Sequence, residues 1–153
     1  MLCNRHARLV LQAVVVAAVV AGCGNQDVTV PVECLEGPRT VAAALKRAPG
    51  DVRLEGRVRI SACFKHAANA ADVQNLGGIL LESTQRLTAR VRRAPHSHAA
   101  VELGYLVGAV RRGARTDTGV HYESERRMEQ ELAGVPTNTR EFQLGLAAGR
   151  RSG

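Results

Sequence analysis

Tryptophan is absent from the 153 residues, and the aromatic side chains come to Phe64, Tyr105, Tyr122 and Phe142. Carbohydrate-stacking surfaces and single-strand nucleic-acid platforms both rely on ring faces, so neither is supported. Lysine is nearly missing as well: Lys46 and Lys65 stand alone among 21 basic residues, and the rest are arginine. No Gly-x-Ser-x-Gly nucleophile turn occurs, no phosphate-binding or dinucleotide glycine motif follows a strand pattern, and no Cys-x-x-Cys pair is present. Those absences remove the familiar hydrolase, nucleotide-binding and thiol-redox patterns. A long apolar run is missing too. The longest stretch, from Leu9 to Gly22, is interrupted by Gln12 and falls short of the roughly 20 residues that a spanning helix needs.

What that stretch does have is an export pattern. Arg5, His6 and Arg8 precede it with no acid, and a positive start followed by a short apolar segment marks a signal peptide. The segment ends in Val20-Ala21-Gly22-Cys23, which resembles the lipobox of bacterial lipoproteins. That resemblance covers only the first 23 residues. It implies that the Cys23 thiol takes a diacylglycerol, that a peptidase cuts just before it, and that the product is held on the extracytoplasmic face of a membrane. The alternative is an ordinary secretory signal cut after a small residue such as Ala21. Of the four cysteines, Cys3 would leave with the signal and Cys23 would carry lipid, so Cys34 and Cys63 remain as one pair. Ordinary secretion would leave three cysteines and one exported thiol without a partner.

Removing residues 1–22 takes away Arg5 and Arg8, leaving 131 residues with 19 basic and 14 acidic side chains, a net charge of +5. That length suffices for one domain with its own core. The charge favours anionic lipid headgroups or acidic wall polymers as neighbours. An exported address argues against nucleic acid.

The organisation expected is a signal over 1–22, a lipid anchor and tether over 23–37, and a single α-rich domain over 38–153. Residues 24–32 read as an extended tether of at most about 30 Å. Gly37-Pro38 opens a short helix over 39–48 that Pro49-Gly50 stops. Val52, Leu54, Val58 and Ile60 then alternate with Arg53, Glu55, Arg57 and Arg59, the period of a half-buried strand. As a hairpin, a three-residue loop over 55–57 would pair Leu54 with Val58 and Val52 with Ile60, keeping one face apolar. A single continuous strand fits the same pattern. Cys34 and Cys63 bracket this unit, and their bond would close a loop of 28 residues.

Four further helices are predicted. One runs from an Asp72 cap to about Arg93, and Ser97 caps the next, from His98 to about Arg112, apolar nearly all round and so central. A charged helix follows from about Gly119 to Leu132, with Glu123–Arg127 and Arg127–Glu131 as i,i+4 pairs. The last follows an Asn138-Thr139 cap, with Asn138 and Glu141 spaced as a capping box. The fold class is therefore mainly α, a small bundle of four or five helices with a short disulfide-stapled β element.

Few residues are candidates for chemistry. Gly104 and Gly108 share a helix face and would let a neighbour approach closely, with Gly77-Gly78 as the suggested partner. His96, His98 and His121 are the one set that resembles a metal site, but zinc wants three or four converging ligands and nothing completes them. Neither a metal nor a cofactor is expected. Glu102, on the most apolar helix, lacks the second acid that catalysis would need. Arg92, Arg93, Arg111 and Arg112 near helix ends form a candidate anion-binding face. The functional expectation is a non-catalytic, lipid-anchored envelope protein acting by contact with a protein or an anionic component. The alternative is a small extracytoplasmic enzyme or metal-binding protein using His96, His98 or His121.

Overall fold

Of the 17 residues of His98–Ala114, 14 are buried, so this helix has no solvent face and everything else packs around it. The structure, a computed structural model, describes residues 29–67, 69–115 and 120–153, excluding the side chains of Val120 and His121. The described residues form a 3-10 turn, Val32–Cys34, and six helices: α1 Pro38–Leu45, α2 Ile60–His66, α3 Ala70–Arg93, α4 His98–Ala114, α5 Val120–Glu131 and α6 Arg140–Ser152. The mainly helical class holds, with one helix more than expected. The expected signal peptide and lipobox lie outside the described residues.

Local chemistry sets most of the helix starts. Gly37 adopts φ 107°, which an L side chain would resist, and Pro38 enters α1 where its missing N–H has no partner to lose. Asn69 caps α3. Its side chain accepts from the Asp72 amide at 2.9 Å, while its own NH2 donates to Asp72 Oδ2 at 2.7 Å. Asp72 therefore sits in the first turn as the reciprocal partner, not at the cap. Thr139 takes the corresponding role in α6, accepting from the Phe142 amide, so the Asn138–Glu141 box does not form. Ser97 stands at the start of α4 but turns its hydroxyl to the Ala94 carbonyl at 2.7 Å.

The stripe Val73, Leu76, Leu80, Leu87 and Val91 turns α3 inward. Ser83 and Thr84 share that face at no hydrogen-bonding cost, since each hydroxyl donates to the carbonyl four residues back at 2.8 Å. The short connection 94–97 sends α4 back antiparallel to α3. Gln85 of α3 reaches Glu131 of α5 at 3.0 Å, so Arg127 and Glu131 do not pair, whereas Glu123 and Arg127 do, at 2.8 Å.

The tightest contact is between α4 and α6. A Cβ on Gly104 would overlap the Phe142 carbonyl oxygen, and one on Gly108 would overlap that of Leu146. Conversely, Gly145 and Gly149 lie on the carbonyls of Val101 and Tyr105. Numbers rise together on both helices, so they run parallel with backbones in contact. The close neighbour of Gly104 and Gly108 is thus α6, not Gly77-Gly78. Gly77 instead faces Ser124 of α5, and a Cβ on Gly78 would meet open space.

The β element reduces to one antiparallel bridge. Leu54 and Val58 exchange backbone hydrogen bonds of 2.8 and 3.2 Å around the predicted three-residue loop, with Glu55 and Gly56 at positive φ. The second pair, Val52 with Ile60, is not made, and no strand is present among the described residues. Ile60 instead begins α2, which buries Ile60, Cys63 and Phe64. Burying three apolar side chains outweighs one more ladder rung. Cys34 and Cys63 are bonded, with Cα atoms 5.8 Å apart. Val30 and Cys34 both join the core, so packed structure begins eight residues before Pro38.

Candidate functional site

Because α4 and α6 are parallel, their carbonyl ends lie side by side. Arginines gather there. Arg111 and Arg112 occupy the last turn of α4, Arg115 follows it, and Arg150 and Arg151 occupy the last turn of α6. With Glu125 and Glu129 of α5, Arg111, Arg112, Arg115 and Arg150 line an open cleft of about 670 Å³.

The charges in the cleft are unequally engaged. Arg111 bonds Glu129 at 2.6 Å and lies 3.6 Å from Glu125, so one guanidinium answers both acids. Among the described residues Arg112 meets no carboxylate; it donates to the carbonyls of Arg150 and Arg151 at 3.1 and 2.7 Å. A positive group at a helix C-terminus also suits the dipole. Burial raises the Glu125 carboxyl above its ordinary value, and Glu129 adds to this, against the attraction of Arg111 and Arg150. Among the described lining residues, four cations stand against two carboxylates.

The four arginines singled out in the sequence fall in two places. Arg92 and Arg93 end α3, beside the start of α4, about 20 Å along that helix from Arg111 and Arg112. Arg92 donates to the Ala133 carbonyl at 2.9 Å, and Arg93 is exposed. They do not join the cleft, and a single face of all four is not formed. Arg115, Arg150, Glu125 and Glu129 were missed as its lining. The i,i+4 spacing of Glu125 and Glu129 was visible, but nothing in the sequence told which helix end they would meet.

The histidines separate. His96 Nδ1 lies 3.1 Å from Glu141, and His98 Nε2 lies 3.2 Å from the Lys46 carbonyl and 3.8 Å from Glu102. The His121 side chain is outside the described residues. Among those described, no three His, Cys, Asp or Glu side chains converge as metal ligands would. Hydrogen bonds from its own backbone N–H and from His96 lower the Glu141 carboxyl. Glu102 is 4 % exposed, and its Oε2 accepts from Arg90 at 2.7 Å. This is the Arg pairing expected for a buried carboxylate, and it ties Glu102 to α3.

Among the described residues no helix is long and apolar enough to cross a membrane. Compared with protein-family models, curated proteins and solved structures, the chain matches none.

Proposed function

We propose that the chain is a lipid-anchored protein of the bacterial cell envelope, held by Cys23, whose folded part works by contact with an anionic envelope component. The observation that carries the reading is Val20-Ala21-Gly22-Cys23 at the end of a short apolar segment with a basic start. The Cys34–Cys63 bond supports it in two ways. Such bonds persist in oxidising compartments, and this one accounts for both cysteines downstream of Cys23. The arginine-lined cleft supports the choice of an anionic contact.

Intact mass on the membrane fraction of cells making wild type and Cys23→Ala tests the anchor. The expected result is an N-terminus at Cys23 with an added diacylglycerol mass, absent from the variant. A wild-type product without lipid would overturn the reading.

A further inference from the structure

The staple fixes where the chain enters the fold. Cys34 is bonded to Cys63 of α2, and the neighbours of Cys63 lie against the ends of α4 and α6. A Cβ on Gly113 would meet the Phe64 ring and the Ser61 carbonyl, and Ser61 Oγ donates to the Gly153 carbonyl. The entry point and the arginine cleft are therefore at one end of the molecule. From Cys23 to Val30 the chain can span at most about 25 Å.

That end also carries exposed positive charge. Arg59 and Lys65, flanking and within α2, are exposed, as are Arg112, Arg115, Arg150 and Arg151. Of the described acids at this end, Glu33 pairs with Arg57 at 2.9 Å and Glu125 and Glu129 face Arg111, while Glu36, two residues past Cys34, is exposed and accepts from Thr40. Val32, beside the staple, is 66 % exposed and adds an apolar point to the same end. At the far end, around the start of α4, His96 and Arg90 each meet an acid, while Lys46, Arg47, Arg92, Arg93 and Arg140 are exposed without a carboxylate partner among the described residues, so what distinguishes the two ends is where the chain enters.

We infer that the α2, α4 and α6 ends form a membrane-facing surface, which lies on the headgroups of an anionic bilayer with Arg112, Arg115, Arg150 and Arg151 toward the lipid. This rests on the lipid anchor proposed above. Juxtamembrane cations are drawn to anionic lipid within a Debye length, and a tether this short holds them there. The domain would stand with Arg93 and Arg140, both exposed near the opposite ends of α4 and α6, turned away.

Arginine footprinting with a dicarbonyl reagent, read by mass spectrometry, tests the orientation on full-length processed protein in vesicles. Phosphatidylcholine vesicles with and without phosphatidylglycerol are compared. In anionic vesicles the labelling of Arg115, Arg150 and Arg151 should slow by roughly fivefold or more, with Arg93 and Arg140 unchanged. High salt should restore it. Equal labelling at both ends on protein that carries the acyl mass would overturn the orientation while leaving the anchor standing. So would protection equal in neutral vesicles, or protection by soluble polyphosphate but not by anionic vesicles. If no acyl mass is found, the same footprint on the unacylated protein still decides: protection at these arginines sustains the surface, and its absence removes it.

Discussion

Glu102 shows what one buried charge asks of its surroundings. Its carboxylate is nearly sealed, while Arg90 is half exposed, so the arginine retains water and the acid does not. Removing Arg90 leaves the carboxylate with the His98 ring at 3.8 Å as its remaining basic neighbour among the described residues. Arg90→Ala should therefore destabilise by about 1–3 kcal/mol, and Glu102→Gln, which keeps an acceptor for Arg90, by less. Urea unfolding of both variants checks the order; a larger loss for Glu102→Gln would contradict it. The acid was legible in sequence as anomalous on an apolar helix. Its partner was not, because Arg90 lies across a turn on another element.

Two acids on α5 make opposite contributions to the pH dependence. Hydrogen bonds from Arg126 and then Arg127 lower Glu123 to about 2 from an ordinary 4.5, so its contribution is present above pH 4.5 and fades as pH falls toward 2. Glu125 is raised, so its favourable share is complete below 4.5 and is lost as pH rises through its folded value. Glu125→Gln should then raise the melting temperature at neutral pH and leave it nearly unchanged at pH 4. Melts across that interval read the difference; a neutral-pH loss in Tm would refute the assignment.

At the scale of elements, the α4–α6 pair makes the sharpest claim. Gly104, Gly108, Gly145 and Gly149 have backbone where a methyl would go, so neither helix can yield by turning a side chain. Gly104→Ala and Gly145→Ala should each cost about 3 kcal/mol or more, since backbone must move. Gly78→Ala, in the interior of α3 with open space around it, should instead add about 1 kcal/mol. Chemical denaturation of the three variants gives the signs directly. Gly104 and Gly108 were read correctly as a close-packing face. The partner was misplaced because Gly77-Gly78 are adjacent, and adjacent residues point to different sides of a helix. The four-residue spacing of Gly145, Gly149 and Gly153 was the available signal. Helix α2 was harder to see. It lacks a side-chain cap, and its first residue completes the alternating pattern of 52–60.

Across the whole molecule, the parallel pairing of α4 and α6 obliges the chain that joins them, α5 included, to run back from the end of α4 to the start of α6, and it gathers both helix C-termini beside α2. Helix content, the central place of α4 and the cysteine pair all follow from periodicity, polarity and counting. The convergence of arginines at one end follows from none of these, because it depends on helix direction in space. The staple joins the entry segment to that end, so its removal should act on stability and on placement together. Closing 28 residues predicts a loss of about 3–4 kcal/mol for Cys34→Ala with Cys63→Ala, less whatever order the unfolded chain keeps. Because Val30 and Cys34 are core residues, the variant should also expose 29–34 to proteolysis, while α4 and α6 stay protected in hydrogen exchange. Exchange protection lost evenly over all helices would mean that the stapled unit and the α4–α6 pair unfold as one. Loss confined to residues before Ile60 would show that the entry segment is a separate unit, held to the basic end by the disulfide.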